Sequence, residues 1–142
     1  MRLAVSLARR CPPSDTAFSV GAVIVDAEGA ELSRGFSREG GDPVVHAEEA
    51  ALAKLSPGEA RLAGATIYST LEPCSQRMSR PLTCTELIIA ADLRRVVIAW
   101  REPALFVADA QGYELLSRAG LTVTELPAFA ADAIAPNRHL VR

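Results

Sequence analysis

The fold is decided by Arg95-Val96-Val97-Ile98-Ala99-Trp100 and, after a helical stretch from Gln111 to Ala119, by Leu121-Thr122-Val123-Thr124-Glu125. Both outer segments are short runs rich in β-branched residues, and Gly120 stops the helix between them. A strand–helix–strand unit of this length crosses over the sheet and returns in the same direction, so these two strands are expected to be parallel. Further back, Thr66 to Thr70 reads as another strand. The run Val20-Gly21-Ala22-Val23-Ile24-Val25 is continuously apolar, as in a strand buried on both faces. Asp26-Ala27-Glu28-Gly29 is turn chemistry that returns the chain as a strand over Glu31–Ser37, completing a hairpin. Helices are expected from Leu3 to Ala8, ending by Cys11 before Pro12-Pro13, from His46 to Leu55, stopped by Ser56-Pro57-Gly58, and from Cys84 to Ala91. A terminal helix over Phe129 to Leu140 is broken or ended near Pro136. The expectation is one α/β domain over residues 1–142, a three-layer α/β/α arrangement with helices on both faces. Its five-stranded mixed sheet has its last two strands parallel.

With 142 residues, 49% hydrophobic and 23% charged, the chain has the profile of a globular protein with a substantial core. A formal charge of -2 and a pI near 5.7 give no global field for polyanions, so nucleic-acid binding is disfavoured. No apolar run approaches the roughly 20 residues that span a bilayer. The Leu3–Ala8 segment is preceded only by Arg2 and is too short for a signal peptide, so no membrane partner and a cytoplasmic location are expected. Three cysteines make no disulfide framework, and the odd count points to metal or catalytic use.

His46-Ala47-Glu48, Pro73-Cys74 and Cys84 supply that use. One imidazole and two thiolates, each at a helix start or strand end, suit a tetrahedral zinc ion with its fourth position open to water. A thiolate at the start of a helix is further favoured by the helix dipole. In mid-helix, His46 and Glu48 would point about 200° apart. At the first turn, His46 sits on the capping side and Glu48 leans toward the same point, free to carry a proton between water and a substrate nitrogen. The free N–H groups of that turn, Ala47 included, are available to a substrate carbonyl. Cys11 reads as structural and His139 as a surface residue. If either closed the site as a fourth ligand, the zinc would be structural and the chain a non-catalytic, zinc-stabilised module.

The ordered set His-Ala-Glu, Pro-Cys and Cys resembles the zinc-dependent cytidine and deoxycytidylate deaminase superfamily. Gly64 to Ser75, Arg95 to Ala99 with Glu102-Pro103, and Arg118-Ala119-Gly120 are most similar to the deaminase domain of riboflavin-biosynthesis proteins. The resemblance implies a zinc-dependent aminohydrolase with His46, Cys74 and Cys84 as ligands and Glu48 as the acid and base. It implies release of ammonia from a small aminated pyrimidine or related heterocycle, as base, nucleoside or nucleotide. It also implies a homodimer or larger homo-oligomer. A tRNA base deaminase is the second reading. Phe18 sits where free-cytidine enzymes pack a phenylalanine on the base. Arg77 and Arg80, between two ligands, suit a phosphate or sugar hydroxyl or else a solvated loop. Trp100, at the C-terminal end of a strand, is placed to stack on a substrate or to cap the core.

Overall fold

The continuous apolar run forms strand β1 (Gly21–Val25) and returns through the Asp26 turn as β2 (Glu31–Phe36). In the computed structural model, which describes residues 1–106 and 109–141, three more strands complete one sheet. These are β3 (Thr66–Ser69), β4 (Arg95–Ile98) and β5 (Thr122–Glu125), and the spatial order is β2-β1-β3-β4-β5. β1 is antiparallel to both neighbours, with Ala22 opposite Gly35 and Ser69. β3, β4 and β5 run parallel, with Thr66 opposite Arg95 and Arg95 opposite Thr122. The crossover expected between the last two strands is present, and a second joins β3 to β4.

The helices are α1 (Arg2–Ala8), α2 (Ala47–Ala53), α3 (Cys84–Ala90), α4 (Gly112–Arg118) and α5 (Ala130–Ile134). Strand periodicity divides the sheet cleanly. Ala22, Ile24, Ile67, Val96 and Ile98 form the main core with Ala47, Ala51, Ile88 and Leu116 of the helices α2, α3 and α4. Val23 points the other way, onto Ala4 and Leu7 of α1, and α5 packs beside α1. One glycine on each face lets a helix close on the hairpin. A Cβ on Gly21 would lie 2.0 Å from Ala4 O, and one on Gly35 would lie 2.5 Å from Ala47 O. Helices therefore cover both faces, but unevenly: Tyr68 and Val97, directed to the α1 face, stay half-buried.

The terminal helix is the short α5, ended near Pro136 as expected, because that proline removes an N–H from the helical ladder; 3-10 turns over Pro127–Phe129 and Ala135–Asn137 flank it. Two further 3-10 turns, Glu39–Gly41 and Ala60–Leu62, lie between β2 and α2 and between α2 and β3. No described helix is long and apolar enough to cross a membrane.

Candidate functional site

His46 is the N-cap of α2, with extended φ and ψ of -92° and 159°, so its ring hangs from the helix start rather than along its flank. Its backbone N–H donates to Glu49 Oε2 at 3.4 Å. Cys74 leaves β3 through Leu71-Glu72-Pro73, and that exit is pinned by Glu72. The buried Glu72 carboxylate accepts from Tyr113 N at 2.8 Å, in the first turn of α4, and from Glu102 N at 3.1 Å, in the loop after β4. Gly112 permits the approach, since a Cβ there would meet Pro73 O at 2.2 Å. Cys84 opens α3, whose N-terminus is closed by a reciprocal Thr83–Glu86 capping box. Thr85 Oγ1 donates back to Cys74 O at 2.9 Å, fastening the two cysteine segments together.

These anchors bring His46 Nδ1 to 3.5 Å from Cys74 Sγ and 3.4 Å from Cys84 Sγ. All three ligand atoms lie within 4.8 Å of one another. A tetrahedral zinc with typical bond lengths puts nitrogen and sulfur ligand atoms about 3.6 Å apart, so the donor set fits the ion. The charges fit too. Cys84 donates to Cys74 and, against the cost of burial, holds its thiol down to about 4. The Cys84 thiol is pushed well above the ordinary value by that same hydrogen bond and by burial. The pair thus shares one proton that a dication displaces. Burial works against a charged His46, but the Cys74 contact outweighs it and raises its pKa. Cys11 and His139 lie elsewhere: Cys11 Sγ contacts Val20 O at 3.4 Å, and His139 Nε2 is 2.8 Å from Ser14 O.

Glu48 is 3% exposed, and Ser69 Oγ donates to its Oε1 at 2.7 Å. Burial raises its pKa above the usual carboxylate value, which suits a group that must hold and release a proton. Glu48, His46 and Cys74 line a cavity of about 580 Å³ whose wall includes Phe18, Arg38, Glu72, Arg77 and Glu102. Phe18 is braced edge-on by Trp100, with ring centroids 5.5 Å apart, and by Phe106 at 4.9 Å.

The other candidate residues fall in different places. Arg77 lines the cavity but is an internal strut, its side chain 3% exposed and 2.7 Å from Glu49. Arg80 does not line the cavity; it pairs with Glu49 at 2.9 Å and with Asp42, beside a shallow depression bounded by Leu82 and Leu87. Trp100 stands behind Phe18 rather than on the cavity wall, and Ala47 is fully buried. Sequence reasoning missed Arg38, Glu72 and Glu102. Arg38 is 7% exposed with a left-handed φ of 62°, and donates to Pro12 O, Phe18 O and Ser19 Oγ, setting the backbone behind Phe18. Nothing in its loop-like surroundings marks it. Glu102 carried a usable signal: an acidic residue just past the C-terminal end of a buried strand, where open α/β sheets bind ligands.

The model for the cytidine and deoxycytidylate deaminase zinc-binding region matches residues 1–100. The chain belongs to this family. Its members share the zinc-binding region, and in this chain His46, Cys74 and Cys84 form a donor set that could hold the ion. The family chain is 42% identical over 137 residues to a diaminohydroxyphosphoribosylamino-pyrimidine deaminase of Schizosaccharomyces pombe, covering 94% of this chain and 33% of that protein. It is 39% identical over 127 residues to the riboflavin biosynthesis protein RibD of Aquifex aeolicus, covering 87% of this chain and 33% of that one. Among solved structures, Acinetobacter baumannii RibD superposes with a TM-score of 0.80 at 30% identity, over 99% of this chain and 37% of its own. The chain therefore spans about a third of the length of these relatives.

Proposed function

We propose that residues 1–142 act as one zinc-dependent hydrolytic deaminase domain that releases ammonia from an aminated pyrimidine, in the manner the names of its relatives describe. The carrying observation is Glu48: a buried carboxylate on the first turn of α2, beside three convergent ligand atoms and lining the cavity. In this reading His46, Cys74 and Cys84 hold the zinc. Bound zinc supplies a Lewis acid that makes water nucleophilic near neutral pH. Glu48 takes one proton from water on Oε2 while Ser69 fixes Oε1 and passes it to the ring nitrogen, then carries a second, from the hydroxyl gained by the ring carbon, to the departing amine. Phe18, held by Arg38 from behind, forms the apolar wall for the heterocycle.

A phosphorylated sugar appendage, as in the name of the fission-yeast relative, is supported by Arg77, whose Nη1 is buried without a partner among the described residues. We assign the chain to a homo-oligomer, supported by Met78 and Phe106, which line the cavity and are 103% and 48% exposed. A cytoplasmic setting agrees with the free thiols of Cys11, Cys74 and Cys84. The test is Glu48→Gln: zinc stays at one per chain, while ammonia release from a diaminopyrimidine falls by at least about a thousandfold. Wild-type turnover in that variant would overturn the reading.

A further inference from the structure

The sheet has an edge at β2 and another at β5, and the chain treats them differently. β2 is closed off. Its pairing with β1 shifts register between Ile24 and Val25, Glu31 and Arg34 form an ion pair along it, and Lys54 Nζ donates to Arg34 O. A bulge, paired charges and a lysine are devices that keep an edge strand from recruiting another chain. β5 is Thr122-Val123-Thr124-Glu125, with no lysine, proline or register shift. Thr122 and Thr124 are exposed, and Thr124 stands beside the half-buried Val97 on the face that α1 leaves open. Thr122 N donates to Arg94 O at 3.0 Å and Leu126 N to Ile98 O at 2.7 Å, so these residues turn their amides toward β4. Alternation along the strand then turns the N–H and C=O of Val123 and Glu125 outward. Tyr113 Oη lies 3.5 Å from Val123 O, and no described strand covers the rest.

We infer that β5 is an interface for a second copy of this chain, the two strands pairing antiparallel about a twofold axis at Thr124. In that register Val123 of each copy exchanges both its backbone hydrogen bonds with Glu125 of the other. A slide toward Leu121 leaves the Glu125 carbonyl without a donor, because Leu121 N is already given to Leu116 O at 3.1 Å. Past Glu125 the pairing ends, since Leu126 N faces β4 and Pro127 has no N–H. Charge selects the same partner. The exposed Arg94, Arg95 and Arg118 gather at the start of β5, whereas Glu114 and Glu125, 46% and 38% exposed, stand at its end around Arg101. Antiparallel pairing carries the acidic end of one copy toward the basic end of the other. The inference rests on the homo-oligomer reading above and adds a surface to it, none of whose strand residues lines the cavity.

Sedimentation velocity on zinc-loaded protein, up to about 100 μM because the interface is small, is expected to show a dimer or an even multiple of one. Thr124→Lys sets like charges against each other across the axis and should weaken the pairing at least about tenfold, halving the mass at intermediate concentration with zinc content unchanged. Monomer throughout in the wild type overturns both this inference and the homo-oligomer reading. An assembly that Thr124→Lys leaves intact overturns the β5 interface alone. Thr124→Cys covers the case in which the lysine variant does not fold. Opposed residues of a non-hydrogen-bonded pair have Cα atoms about 4.5 Å apart, within disulfide reach. Mild oxidation should therefore cross-link Thr124→Cys into dimers well above the wild-type and Thr122→Cys controls. No cross-link, or as much in Thr122→Cys, overturns the proposed pairing.

Discussion

Replacing Glu49 by Gln tests what holds the inter-cysteine loop against α2. The Glu49 carboxylate lies 2.7 Å from Arg77 and 2.9 Å from Arg80, and it also accepts from the N–H of the candidate ligand His46. One side chain therefore joins the helix that starts at His46 to the loop between Cys74 and Cys84. The two arginines are not equivalent. Arg77 is 3% exposed, so losing the Glu49 carboxylate leaves a buried cation without its ion-pair partner, a loss that typically costs about 3–5 kcal/mol. Glu49 is 21% exposed and Arg77 keeps Val44 O and Ser79 Oγ as acceptors, which places the cost near the bottom of that range. Arg80, 32% exposed and still paired with Asp42, adds less than about 1 kcal/mol. A total of about 3 kcal/mol lowers Tm by about 10 °C for a chain of this size.

The pH dependence follows from the same contacts. Burial opposes the charge on Glu49, but Arg80 and Arg77 outweigh it and hold its pKa below 4.5. A depressed carboxylate contributes stability that is present above its unfolded pKa and is lost as pH falls through its folded one. The gap between wild type and Glu49→Gln should then be full at neutral pH and close in acid. In a double-mutant cycle with Arg77→Met, the coupling should exceed about 1.5 kcal/mol, because removing both partners of a buried pair is far cheaper than removing one. A Tm loss under about 2 °C, or an equal loss in the Arg77→Met background, would refute the argument that this pair fastens the loop.

Gly112→Ala places a Cβ 2.2 Å from Pro73 O, so α4 must shift away from the Cys74 segment. Both thermal stability and zinc retention on dialysis should drop, the former by about 2–3 kcal/mol. The raised Glu102 carboxyl, at about 7 against an unfolded value of 4.5, should appear in zinc-free protein unfolded by urea. Its contribution is present below the unfolded value and lost as pH rises through about 7, so wild-type stability should decline across that window by up to about 3 kcal/mol. Glu102→Gln should lack that decline, and parallel curves for the two proteins would show that the carboxylate is not buried as described.

The sequence made the framework legible because strand periodicity and crossover length are local or nearly local signals. The run Gly21–Val25, the Asp26 turn and the strands at Arg95 and Thr122 announce themselves within a few residues each. Zinc-ligand chemistry was equally legible, since the residue types in His46, Cys74 and Cys84 are few and their positions at element junctions restrict where they point. The cavity wall was not. Whether an arginine in the loop after Cys74 faces a substrate or braces a helix depends on a carboxylate 28–31 residues away, and Glu49 claims both Arg77 and Arg80. Trp100 stands at the end of β4, where ligands bind, yet Phe18, about 80 residues earlier, comes between it and the cavity. Glu102 was overlooked for the converse reason: what sets it apart is that its Oε2 has no partner among the described residues. Composition and spacing record which groups a chain carries, but an unpaired atom exists only once every neighbour has been placed. Such unpaired atoms are therefore the part of this site that the chain's local signals carry least, and Glu102 Oε2 and Arg77 Nη1 are the two found among the described residues.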